Sequence, residues 1–186
     1  MALFAEMLAF FGSKAPPQQL TYGKPINIYA DIPIFPPFAM MLTVACSQII
    51  RKLTGKPLAF LPAPLSTVPV RVAFFAIAFP SIILMVLNPA GGELKAAGSG
   101  TLFTPVNGLA TTGIYESTRN PMYAGLVFVA IPCMACVVNS AWPILISPLT
   151  WCYLNYVVIA AEEKLLAQAF GKQFDEYCQS VPRWLI

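Results

Sequence analysis

The sequence predicts an all-α integral membrane protein with about four transmembrane helices, a short N-terminal interfacial helix and an amphipathic C-terminal helix. Three observations carry this reading. Of 186 residues, 58% are hydrophobic and only 10% charged, whereas a soluble domain carries roughly a quarter charged residues, so water is not the only solvent. Four segments approach the roughly 20 apolar residues that cross a bilayer. The eighteen prolines fall mainly in the first half and at helix edges, where proline is tolerated.

The elements follow in order. Residues 1–11 are apolar but short, contain Glu6 and lack a basic flank. That argues against a signal peptide and for an amphipathic anchor lying on the membrane. The first expected span covers 32–50 and ends at Arg51-Lys52, and the second covers 68–87 and ends at Asn88-Pro89. A mixed stretch rich in Gly and Thr occupies 90–118, the third span 121–138 and the fourth 141–161. The tail from Glu162 reads as helical, with Gly171 as its C-cap after Phe170. Residues 1–90 thus form an N-terminal segment with two spans, and 91–186 a second region made of a loop, a helical hairpin and the C-terminal helix.

Charge excludes some functions. A net charge of +3, scattered along the chain, is no nucleic-acid footprint. Arg51, Lys52 and Lys56 do cluster, which suits contact with anionic headgroups. Counting Lys and Arg gives four in the 51–71 loop and seven on the opposite side. The total and the density in the short loop therefore point in opposite directions, and orientation stays open. Cys133-x-x-Cys136 lies inside an apolar run of a chain with no His, so no metal is expected.

The third and fourth spans place the candidate site. Only Asn139-Ser140 separates them, which predicts a tight antiparallel hairpin. Asn120 and Glu162 lie at similar distances along the chain from that tip, roughly 30 Å each at about 1.5 Å per residue. They should meet at the same membrane surface. Asn120-Pro121 is first a helix start, and an exposed helix N-terminus with Arg119 beside it suits a carboxylate. Glu162 and Glu163 have no Lys one helical turn away, and Arg119 or a cationic ligand would answer them. Gly98 and Gly100 form a G-x-G turn on the same side. Tyr115 and Tyr123 read as stacking partners for a flat ring or as interfacial anchors.

These pieces together resemble a known family. Gly98-Ser-Gly-Thr101, Thr112-Gly-Ile-Tyr115, Arg119-Asn-Pro-Met-Tyr-Ala-Gly125, Glu162-Glu163 and Phe170-Gly171-x-x-Phe174-x-x-Tyr177-x-x-x-Val181-Pro182 are similar in order and spacing to the membrane methyltransferases. Those include isoprenylcysteine carboxyl methyltransferases and phosphatidylethanolamine N-methyltransferases. The resemblance covers nearly half the chain and implies S-adenosyl-L-methionine as methyl donor, held by Gly98, Gly100, Tyr115, Arg119, Asn120, Tyr123, Glu162 and Glu163, with Arg119 and Glu163 carrying catalysis. It also implies a lipid or prenylated substrate, a multi-pass place in the bilayer (endoplasmic reticulum in a eukaryote, inner membrane in a bacterium) and no metal. One departure is Asn120, where the carboxyl methyltransferases usually have His.

The absence of His leans toward a carboxylate acceptor, which needs no base. Glu162 or Glu163 could still serve as base for an amine. The acceptor implied first is the C-terminal carboxylate of a prenylated cysteine, with phospholipid amines next. Two other readings compete. Sterol and steroid reductases share an Arg-x-Pro-x-Tyr-x-Gly-like helix start, but Glu162-Glu163 would repel their phosphate-rich NADPH. A catalytically idle membrane scaffold would need another reason for the two carboxylates.

Overall fold

The computed structural model describes residues 32–82, 88–97 and 108–185. Among the described residues the chain is helical, without strands. The anchor expected over 1–11 lies outside them, as do Gly98 and Gly100. The described helices are α1 Pro36–Thr54, α2 Val68–Ile82, α3 Asn88–Ala96, α4 Pro121–Val138, α5 Trp142–Phe170 and α6 Lys172–Ser180. Short 3-10 turns stand at Ala63–Leu65 and Gly113–Glu116.

By length and composition, α4 and α5 are able to cross a membrane, and they coincide with the third and fourth expected spans. The first and second expected spans are α1, 19 residues, and α2, 15 residues within the described stretch. α1 runs past Arg51-Lys52 and stops at Gly55, whose φ of +64° ends it. The 90–118 stretch is not wholly irregular, because α3 takes its first part. Pro89 falls in its first turn, where proline is tolerated, and Glu93-Leu-Lys-Ala96 are good helix formers. Both long helices loosen by one π-helical turn, at Leu126–Ala130 just before Pro132 and at Leu154–Val158 after Pro148. A proline gives no N–H to the ladder, and such wider turns absorb the irregularity.

The chain divides into two compact units that interleave in sequence. Over the described residues, the first takes 32, 88–97, 108–122 and 159–185, and the second 33–82 and 123–158. A division at residue 90 instead follows the sequence resemblance.

In the second unit α1 packs on the first half of α5, α2 on the second half of α4, and α4 on α5. Thr43 donates to Ala39 O at 2.8 Å and pairs with the buried Thr150 hydroxyl, so neither polar group is buried without a partner. The hairpin tip is three residues, 139–141, rather than two. Asn139 takes φ +46°, a left-handed conformation that asparagine tolerates, and Ser140 N–H returns to Ala135 O at 3.0 Å.

The first unit has its own core of Ala90, Ala110, Tyr115, Phe170, Phe174, Tyr177 and Val181. Each large side chain there contributes about 1.5–3 kcal/mol by leaving water. α6 is amphipathic as expected: Phe174 and Tyr177 are buried, and Lys172, Asp175 and Glu176 are exposed. Gly171 separates α5 from α6 at φ +49°, the cap read from the sequence. Gly113 has φ +62°, and a Cβ there would lie 2.6 Å from Glu93 Oε1. Only glycine fits, and the space it leaves admits the Glu93 carboxylate, which accepts from Thr112 Oγ1 at 2.6 Å.

Candidate functional site

The site lies wholly in the first unit, where three segments meet: 115–120 ahead of α4, the last turns of α5, and the 181–184 tail after α6. The backbone settles its frame. Arg119 N–H donates to Pro182 O at 2.9 Å. The Thr118 hydroxyl and the Asn120 side-chain amide both donate to Arg183 O, each at 3.0 Å. Asn120 N–H in turn donates to Thr118 Oγ1 at 3.2 Å. The Arg-Asn-Pro segment is thereby clasped by the tail. Thr118 and Asn120 are buried, and their polar groups are satisfied there rather than by water.

On this frame sits a charged triad. Arg119 Nη2 lies 3.2 Å from Glu163 Oε1. Arg183 Nε donates to the same oxygen at 3.1 Å, and Arg183 Nη2 reaches Oε2. One carboxylate therefore holds two guanidiniums, one of them in the forked geometry that planar Arg favours. The side chains are 14%, 19% and 32% exposed for Arg119, Glu163 and Arg183, so solvent only partly screens them. Arg119 Nε is buried with no hydrogen-bond partner among the described residues. The triad carries one net positive charge, and Glu162, the next residue on α5, is buried.

Around the triad, burial pushes the Cys178 thiol up in pKa and the neighbouring Arg119 guanidinium pulls it down. Tyr177 donates its phenol to Tyr115 O at 2.8 Å, and burial raises its pKa well above the ordinary value.

The structure brings together Arg119, Asn120, Glu162 and Glu163, as the hairpin arithmetic requires. Glu163 is not an unanswered carboxylate: both its oxygens are taken by arginines. The helix start is not exposed either, since Asn120 and Pro121 are buried under the tail. Tyr115 is neither surface anchor nor free ring but part of the core. Tyr123 is buried in the second unit. Arg183 was missed as a site residue. Its signal is present in Val181-Pro-Arg183, but only the fold of the tail shows which carboxylate it serves.

Comparison with known proteins points the same way. Residues 93–173 match the phospholipid methyltransferase family. A probable protein-S-isoprenylcysteine O-methyltransferase of Oryza sativa subsp. indica is 23% identical over 116 residues, covering 58% of this chain and 60% of the rice protein. Protein-S-isoprenylcysteine O-methyltransferase B of Arabidopsis thaliana is 32% identical over 74 residues, 40% of this chain and 37% of that protein. The chain thus spans about 60% or less of the length of these relatives. The matched stretch contains the hairpin, Arg119, Asn120 and the Glu pair, and over it the chain is similar to the membrane methyltransferases of isoprenylcysteine and phospholipids.

Proposed function

We propose that this protein is a multi-pass membrane enzyme of about four spans that transfers a methyl group from S-adenosyl-L-methionine to a lipid or lipidated acceptor. The first acceptor is the C-terminal carboxylate of a prenylated cysteine. The observation that carries the reading is the Arg119–Glu163–Arg183 triad with its buried Arg119 Nε, unpartnered among the described residues, inside and beside the region matched to a methyltransferase family.

The residues fit the donor. Two guanidiniums against one carboxylate leave positive charge for the donor's carboxylate, and buried Glu162 suits its ammonium group. When bound, the donor supplies an electrophilic methyl on a sulfonium. Glu163 then works as a positioning residue that fixes Arg119 and Arg183. Asn120 and Tyr115 support the same frame through Arg183 O and the Tyr177 phenol. Gly98, Gly100 and Tyr123 join the donor site by resemblance. A carboxylate acceptor arrives ionised and needs only positioning and exclusion of water, which agrees with a chain that has no His.

Phospholipid amine methylation is the second reading, favoured by the family matched over 93–173. There Glu162 would take the acceptor's proton.

Calorimetric titration of detergent-purified protein with S-adenosylhomocysteine, with NADPH as control, tests the class. Saturable binding of the first alone is expected. Binding of NADPH alone would move the chain to the reductases, and binding of neither would favour the scaffold. Radiolabelled methyl transfer to a farnesylated cysteine against phosphatidylethanolamine then separates the acceptors.

A further inference from the structure

The second unit shows a charge pattern that the methyltransferase reading does not use. Residues 33–85 and 123–158 contain Arg51, Lys52, Lys56 and Arg71 and no Asp or Glu. All eight acidic residues lie elsewhere. Three of the four cations fall within six consecutive residues, at the end of α1 and its following turn.

That turn is a built surface. Six hydrogen bonds tie it to the hairpin tip. Arg51 Nη1 donates to Val138 O at 3.3 Å. The Asn139 side-chain carbonyl accepts from Phe60 N–H and Leu61 N–H at 3.2 and 2.8 Å. Ser140 Oγ donates to Pro57 O at 2.9 Å, Ala141 N–H to Leu58 O at 2.8 Å, and the Trp142 indole N–H to Lys56 O at 2.8 Å. Apart from that of Arg51, these bonds use backbone groups and neutral side chains, so they leave Lys52 and Lys56 uncommitted. The exposed Lys52 and Lys56 enter no salt bridge among the described residues. Between and beside them stand Leu53, 81% exposed, with Leu58 and Phe60 also exposed.

We propose that segment 51–61, held by the hairpin tip, is a docking surface for the headgroups of anionic phospholipids. Lys52 and Lys56 meet the headgroup phosphates, and Leu53, Leu58 and Phe60 enter the acyl boundary beneath. Cations interleaved with exposed apolar side chains match a lipid surface, which offers both charge and hydrocarbon. An acidic protein or a nucleic acid would leave Leu53 and Phe60 in water. The surface therefore sets the hairpin tip on the leaflet richer in anionic lipid.

The test is native mass spectrometry of the full chain in detergent, titrated with phosphatidylglycerol or phosphatidylcholine of the same acyl chains. Wild type retains phosphatidylglycerol preferentially at low salt, and millimolar inorganic phosphate does not displace it. The Lys52→Gln/Lys56→Gln variant loses about fivefold in this preference per lysine, and the loss shrinks at high salt. Lys52→Arg/Lys56→Arg retains the preference, as does the control Lys164→Gln/Lys172→Gln in the other unit. Equal retention of the two lipids by wild type would overturn the proposal. So would an unchanged preference in Lys52→Gln/Lys56→Gln, an equal loss in the control, or displacement by phosphate, which would mark a small-anion site instead.

Discussion

Replacing Glu163 by Gln keeps the shape of the side chain and removes the charge that two arginines share. Breaking a buried ion pair from one side costs about 3–5 kcal/mol, because the other charge is left uncompensated. Here Arg119 is 14% exposed and Arg183 32%, so water relieves Arg183 more than Arg119. We expect about 2–3 kcal/mol after that discount, or a fall in melting temperature of roughly 5–10 °C for a chain of this size. The assay is thermal unfolding in detergent followed by tryptophan fluorescence, to which the buried Trp184 contributes from beside the triad. A double-mutant cycle with Arg183→Gln isolates the pair. The double variant should be less destabilised than the sum of the singles, with a coupling of about 1–3 kcal/mol. Additive losses, or a Glu163→Gln protein within about 0.5 kcal/mol of wild type, the range of an ordinary surface change, would refute the view that this carboxylate holds the site together.

Other expectations follow from single contacts. Gly113→Ala should destabilise more than Gly171→Ala. Both force a side chain into a positive φ, worth about 1–2 kcal/mol, but only the Cβ at 113 would collide, with the Glu93 carboxylate, while that at 171 meets open space. Chemical denaturation of the pair would show the order. Tyr177→Phe removes a buried donor to Tyr115 O and should cost about 1–2 kcal/mol. Because burial holds the phenol protonated above its ordinary value, the folded state binds that proton more tightly than the unfolded one. Its stabilisation is complete below about pH 10, where the unfolded phenol titrates, and declines as pH rises toward the folded value. Denaturation midpoints against pH should show that decline in wild type and a flatter profile in Tyr177→Phe. In the second unit, Thr43→Val strands the Thr150 hydroxyl and should cost about 0.5–1.5 kcal/mol. Thr43→Val/Thr150→Val should recover part of that loss in the same denaturation assay.

Much of the site was readable because its signals are local or set by length. A helix rises by a fixed step, so two apolar runs joined at Asn139-Ser140 had to return Glu162 and Glu163 to the neighbourhood of Arg119. Gly171 was readable as a cap because few other residues adopt a positive φ after a helix. Arg183 was not readable in the same way. Its partner lies 20 residues away across a glycine turn and a second helix, and no periodicity states where a tail folds back. Tyr115 looked like a surface aromatic because composition alone does not distinguish an interfacial ring from one covered by Phe170, Phe174 and Tyr177.

The sequence by itself determined the helical class, the apolar hairpin, the end of α5 at Phe170 and the encounter of Arg119 with the Glu pair. These depend on hydrophobic runs, fixed helical rise and residues with narrow backbone preferences. Tertiary structure alone decided that Glu163 holds two arginines rather than one, that Asn120 is buried under the tail, and that the hairpin tip is bound to the turn after α1. Each is a contact between segments far apart in the chain, chosen by packing and by the need to satisfy buried polar groups.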